Sequence, residues 1–121
     1  MFSNYRYEIS EKVKVLEATY NKIDKYFHEY FSLRGAEYGI VSGKYYYEAI
    51  PYALSVIMDW SKDFEDTMTE IQTLQSKHRG GFFDGEKAIA QDRYNTERIK
   101  QLSENHNKIM KLVRESKIKE M

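Results

Sequence analysis

Apolar residues recur in two parts of this chain at alternating steps of four and three positions. The first series consists of Ile9, Val13, Leu16, Tyr20, Ile23, Phe27 and Tyr30. The second consists of Tyr46, Ile50, Ala53, Ile57, Trp60, Phe64, Thr67, Ile71 and Leu74. This spacing keeps each series on one face of an α-helix, and a seven-residue repeat is typical of helices that wind around each other with a left-handed twist. The pattern therefore predicts two long helices with coiled-coil-like packing.

The start of the second helix is ambiguous in the sequence. Pro51 fits the first turn of a helix, where its missing N–H leaves no hydrogen bond unmade. However, the apolar series begins upstream, at Tyr46. We expect the helix to begin a few residues before Pro51. The alternative is a short turn over residues 44–50 followed by a helix that begins at Pro51. In both cases the helix is expected to end near Gly80.

A third helix is predicted after the glycine-rich loop at residues 80–85. Asp84 is a candidate N-cap for it, as Ser10 is for the first helix. No Gly or Pro follows Gly85, so the third helix is expected to continue almost to Met121. Its apolar series is incomplete, because the same face in the first half carries Ala88, Asp92 and Asn95. This half is expected to be poorly buried, or buried against polar groups.

Short connections between helices favour antiparallel neighbours. The sequence therefore predicts a single all-α domain over residues 1–121, which is an antiparallel bundle of three long helices. A short fourth helix near residues 44–50 is an option. Self-association into a homo-oligomer is also predicted, since the first half of the third helix offers little apolar surface to cover the two series.

Composition narrows the classes of function. The chain has no cysteine, so disulfides, thiolate metal ligands and a cysteine nucleophile are excluded. Its 19 basic and 19 acidic residues give zero net charge, whereas nucleic-acid binders usually carry a basic surplus. No apolar run approaches the roughly 18 residues that a membrane span needs, and no signal-peptide layout is present. We expect a cytoplasmic protein without a membrane partner.

Aromatic residues around the two connections are the candidate partner-binding residues. Five of the 11 tyrosines fall between positions 38 and 52, and these are Tyr38, Tyr45, Tyr46, Tyr47 and Tyr52. Tyrosine is favoured at protein interfaces, although the same side chains could simply cover the end of the bundle. Tyr46 lies on the apolar series and is expected to be structural. The predicted contact residues are Tyr38, Tyr45 and Tyr47, with Phe82 and Phe83 in the second loop. One of these phenylalanines could alternatively plug the bundle.

Charged and histidine residues provide no catalytic or metal motif. An acidic row on the second helix contains Asp59, Asp63, Asp66 and Glu70, and it is expected to be a solvated face. Residues 100–121 are basic on balance. Helix-bundle metal sites use Glu-x-x-His pairs, which are absent here, and His106 is expected to be a polar residue on the buried face of helix three. We predict no catalytic residues, no metal and no cofactor.

The sequence thus favours a non-catalytic protein–protein interaction module, such as an adaptor, an inhibitor, a chaperone-like partner or a structural subunit. One alternative is a helical nucleic-acid-binding protein that uses the basic part of helix three. A further alternative is a small helical partner of a specialised secretion system. Those partners usually carry Trp-x-Gly in the turn between two helices, whereas Trp60 here lies within a predicted helix and precedes Ser61 and Lys62.

Overall fold

The computed structural model describes residues 5–33, 47–77 and 85–118. Their helices are α1 (Tyr5–Tyr30), α2 (Pro51–Lys77) and α3 (Glu86–Glu115). Their strands are β1 (Phe31–Leu33), β2 (Tyr47–Ala49) and β3 (Lys117–Ile118). The three helices pack against one another, so the predicted all-α bundle of three long helices is confirmed.

Contacts between side chains establish the direction of each helix. Tyr26 of α1 lies against Trp60 of α2, and nearer the other end of the pair Lys12 contacts Glu70, so α1 and α2 run in opposite directions. The third helix runs in the same direction as α1, because Asp92 pairs with Arg6 and a later pair joins Arg98 to Glu17. α1 packs closely on both other helices, whereas the backbones of α2 and α3 approach each other less.

The two apolar series form most of the hydrophobic core. In the described part of the chain, six side chains are completely buried, and these are Leu16, Ile23, Ala53, Ile57, Ile71 and Leu102. Other members of the series are less buried. Tyr30 is 43% exposed, and the partly buried members are Tyr20, Ile50, Trp60, Thr67 and Leu74. None of the described helices combines the length and apolarity needed to cross a membrane.

The segment before Pro51 is extended. β2 pairs antiparallel with β1, placing Ala49 opposite Phe31, and it pairs in parallel with β3. α2 begins at Pro51, where the carbonyl of Ile50 accepts the first helical hydrogen bond. A proline disfavours the helical conformation in the residue before it. The predicted earlier helix start is therefore wrong. The optional fourth helix is also wrong over residues 47–49, since these residues form β2. Residues 44–46, the start of that predicted helix, lie outside the described residues.

Two predicted helix boundaries also need correction. α1 already includes Tyr5, so Ser10 lies inside the helix and does not cap it. α3 ends at Glu115, short of Met121, and the N–H and hydroxyl of Ser116 both donate to the carbonyl of Val113. The chain then leaves the helix to pair with β2. At the other end of α3, Gly85 occupies the N-cap position without a side-chain cap, and Asp84 lies outside the described residues.

Candidate functional site

Four aromatic side chains form a surface where α1 ends and α2 begins. This aromatic surface consists of Tyr26, Tyr30, Tyr52 and Trp60. The Tyr26 ring centroid lies 4.4 Å from that of Tyr30 and 5.1 Å from that of Trp60, the latter edge-on at 81°. Tyr52 is 75% exposed. The surface thus combines two half-buried rings with two that solvent or a partner can reach.

Helix geometry explains why these rings meet. Tyr26 and Tyr30 are one turn apart on α1, so they share a face. The opposite direction of α2 brings Trp60 beside Tyr26. Burial raises the pKa of Tyr26, and the nearby Tyr30 and Tyr52 raise it further. Its hydroxyl is protonated at physiological pH, as an ordinary tyrosine hydroxyl is, and can donate a hydrogen bond.

A cation already lies on this surface. The Lys22 ammonium is 4.5 Å from the centroid of the Trp60 ring, within the range of a cation–π interaction. Lys22 covers part of the indole, which otherwise faces outward. Trp60 is therefore a partly buried residue that packs against the core and contacts both Tyr26 and Lys22.

The acidic row of α2 is exposed, as predicted. Asp59, Asp63, Asp66 and Glu70 all face solvent, and Glu70 forms an ion pair with Lys12. Among the described residues, no group of three His, Asp or Glu side chains converges in a way that could hold a metal ion. Two of these carboxylates, Asp59 and Asp63, lie on the same face of α2 as Tyr52, since positions 7 and 11 residues apart on a helix nearly coincide at about 100° per residue.

A second polar feature joins α2 to α3. The Ser61 hydroxyl lies 2.8 Å from Nε2 of His106, and the imidazole stacks on Phe64 at 4.1 Å between centroids. Both polar side chains are buried. Burial lowers the pKa of His106, although the Glu65 carboxylate opposes this effect. His106 is thus a neutral, buried residue, which confirms its predicted place on the buried face of helix three.

Ser61 and His106 have the separation of a nucleophile and its general base, and His106 borders an open groove of about 200 Å³. The groove is lined by Phe64, Glu65, Met68, Thr69, Ser103, His106 and Asn107. However, Ser61 is only 5% exposed, so a substrate carbonyl has little access to its hydroxyl. The described hydrogen bonds also place no carboxylate on the imidazole to orient it. The pair is best explained as a polar contact that joins two helices.

The first half of α3 is buried against polar groups of α1, one of the two outcomes that the sequence left open. Asn95 is 2% exposed, and its amide donates to the hydroxyl of Ser10 at 3.1 Å. Gln91 donates to the side-chain oxygen of Asn95 at 3.0 Å. Ion pairs between α1 and α3 flank this contact on both sides. Ser10 therefore joins two helices.

Most of the predicted contact residues cannot be placed. Tyr38, Tyr45, Phe82 and Phe83 lie outside the described residues, and for Tyr47 only its backbone position in β2 is described. Tyr52 belongs to the predicted tyrosine cluster and is exposed. Tyr26 and Tyr30 were missed as contact candidates because the first apolar series treats α1 as a core helix. The sequence did contain one indication that Tyr26 and Tyr30 lie side by side, because they are one helical turn apart near the end of a predicted helix.

Comparisons of the chain with protein-family models, with curated proteins and with solved structures gave no match. A functional assignment therefore depends on the chemistry and geometry of the surfaces described above.

Proposed function

We propose that this protein is a non-catalytic protein–protein interaction module and that the aromatic surface is its contact site. The observation that carries the proposal is the exposure of Tyr30 and Tyr52 beside two rings that are already held in place. Tyrosine and tryptophan offer a large contact area at little cost in side-chain entropy, and they dominate the energetics of many interfaces. A partner would bury the two exposed rings against Tyr26 and Trp60.

The predicted contact residues Tyr38, Tyr45 and Tyr47 come shortly before Tyr52 in the sequence, and Tyr52 follows β2 by three residues. In this proposal Tyr38, Tyr45 and Tyr47 contribute further contacts, while Phe82 and Phe83 form a separate candidate contact in the other connection. An adaptor, an inhibitor, a chaperone-like protein and a structural subunit would all use such a surface.

A paired substitution tests this function. We expect the double variant Tyr30→Ser/Tyr52→Ser to lose at least about tenfold of its partner in quantitative co-purification of the tagged protein from its host, because hot-spot aromatic residues each contribute about 2 kcal/mol or more. Its melting temperature, followed by circular dichroism, should change by only a few degrees since both rings are exposed.

The matched control is Tyr7→Ser/Tyr94→Ser. These two tyrosines are 68% and 61% exposed and lie elsewhere, in the first turn of α1 and on α3. The control should recover the partner at the wild-type level. Equal recovery by both double variants would contradict the proposed contact site.

Nucleic-acid binding is the alternative function, and it has one supporting observation. Four basic side chains are exposed toward the end of α3 and just after it, and these are Lys108, Lys111, Arg114 and Lys117. Glu104 and Glu115 are exposed on the same part of the helix, so the positive charge is interrupted. Binding to duplex DNA that weakens steeply between 50 and 200 mM salt would support this alternative.

A further inference from the structure

We infer that the partner docks on the aromatic surface through a basic peptide segment that carries Arg or Lys beside large apolar side chains. This inference rests on the proposed function and specifies the chemistry of the partner at the same surface. Three observations support it. Two carboxylates lie next to the exposed rings, and within the described residues they form no ion pair. In addition, the Lys22 ammonium already lies over the Trp60 ring.

The first step concerns position. Tyr52, Asp59 and Asp63 are separated by seven and four residues on α2, so they lie within about 40° of one another around the helix axis. All three are exposed. Across the contact between α1 and α2 lie Tyr26 and Tyr30. A segment that covered the exposed tyrosines would therefore also pass over the two carboxylates.

The second step concerns charge. Three other carboxylates form ion pairs between helices: Asp92 pairs with Arg6, Glu17 with Arg98 and Glu70 with Lys12. Among the same residues, Asp59 and Asp63 form no ion pair. A partner that buried them without supplying a cation would incur the cost of removing two charges from water. A partner with matching cations avoids that cost and gains electrostatic steering.

The third step concerns the rings. The Lys22 ammonium over Trp60 shows that this surface holds a cation against an aromatic face. Arginine is suited to both features of the site, since its planar guanidinium stacks on aromatic rings and binds carboxylates with two hydrogen bonds. The partner's apolar side chains would fill the space between the Tyr30 and Tyr52 rings. Nucleic acid does not fit the aromatic surface, because its phosphates would be repelled by the carboxylates of Asp59 and Asp63.

The direct test uses two designed 20-residue helical peptides as probes. Both carry leucine on one face and lack tryptophan, and their polar face is arginine in one and glutamate in the other. Trp60 is the only tryptophan of the chain and lies in the proposed site, so its fluorescence reports binding to the full-length protein. We expect the arginine peptide to change Trp60 emission with an affinity that decreases as salt increases, and the glutamate peptide to have no effect.

Two neutralising variants sharpen this test. Asp59→Asn/Asp63→Asn should weaken binding of the arginine peptide by about 3- to 10-fold, in keeping with the strength of exposed ion pairs. Glu104→Gln/Glu115→Gln removes the same charge from α3 and should leave the affinity unchanged. Equal binding of the two peptides, or equal weakening by the two variants, would overturn the inference.

Co-purification from the host separates this inference from the proposed function. Loss of the partner with the Asp59/Asp63 variant and with the Tyr30/Tyr52 variant supports both. If only the Tyr30/Tyr52 variant loses the partner, the contact site is retained and the basic chemistry of the partner is overturned. If neither variant loses the partner, the contact site and the basic partner are both overturned. If sedimentation shows a dimer that the Asp59/Asp63 variant dissociates, the occupant is a second copy of this chain, and the separate partner is overturned.

Discussion

His106 shows how one buried side chain determines local stability. It fills the space between α2 and α3, hydrogen-bonded to Ser61 and stacked on Phe64. The groups that face it carry opposing charges, since Glu65 favours the protonated ring and Arg114 disfavours it, and Asn107 adds a hydrogen bond. Burial is the largest of these effects and keeps the imidazole neutral.

The first prediction concerns pH. Because the pKa of His106 is lowered on folding, the unfolded chain binds more protons below about pH 6.5, and the contribution of this residue to stability decreases as the pH falls through that value. We expect urea denaturation to show that the wild type loses more stability than His106→Gln between pH 7.5 and pH 5.5. Parallel losses in the two proteins would contradict the assignment of His106 as a neutral buried group.

The second prediction compares two aromatic residues one turn apart on α2. Phe64 is 2% exposed, so Phe64→Ala should destabilise the protein by about 3–5 kcal/mol, the usual cost of deleting a core aromatic. Trp60 is half-buried, so Trp60→Ala should cost clearly less even though its side chain is larger. Guanidinium denaturation of both variants measures the difference, and a larger loss for Trp60→Ala would show that the indole is a core residue.

Among the helices, α1 presents two different interfaces. Toward α2 it buries apolar residues, together with the aromatic contact at Tyr26. Toward the first half of α3 it offers Ser10 and charged residues, which pair with Asn95, Asp92 and Arg98. Apolar packing tolerates small shifts along a helix, whereas a buried hydrogen bond requires a particular partner. These polar contacts are therefore suited to define the register of α3 on α1.

The third prediction is a double-mutant cycle at that interface. Asn95→Ala should destabilise by about 1–3 kcal/mol, because it removes a buried hydrogen bond and leaves the Ser10 hydroxyl without this partner. Adding Ser10→Ala should cost less in the Asn95→Ala background than in the wild type, since the partner is already lost. Chemical denaturation of the wild type, the two single variants and the double variant gives the coupling free energy between Ser10 and Asn95. Strictly additive losses of stability would mean that the two side chains do not interact.

For the whole molecule, the main feature is the unequal packing of the three helices. α1 packs closely on both neighbours, while the backbones of α2 and α3 approach each other less, and the contacts between them include His106 with Ser61 and Phe64. Met58 and Ile89 remain about half exposed on α2 and α3.

The fourth prediction is self-association, which the sequence already suggested. Light scattering coupled to gel filtration at high micromolar concentration should show a mass above the 14.5 kDa of one chain. The species should shift toward the monomer on dilution, as expected for a modest interface. A single species of 14.5 kDa over the whole concentration range would contradict it.

The sequence by itself determined the architecture, because seven-residue apolar spacing is a local property of the helix. The first series predicted the buried face of α1, and five of its seven members, including Leu16, Ile23 and Phe27, are buried. The same reasoning left two outcomes open for the first half of α3, and burial against polar groups is the one found at Asn95. Helix spacing did not reveal that Trp60 is only partly buried, and it was misleading before α2: the second series includes Ile50, yet Pro51 begins the helix and the preceding residues pair as a strand.

Only the tertiary structure decided which side chains meet. Ser61 and His106 are 45 positions apart, and Tyr26 and Trp60 are 34 apart, so no local pattern links them. Their proximity depends on the direction and rotation of α2 against its neighbours, which result from the packing of the whole core. The same is true of the aromatic surface, because a tyrosine that continues an apolar series can lie inside the core or at its edge. For Tyr30 and Trp60, the position of the adjacent helix made the difference.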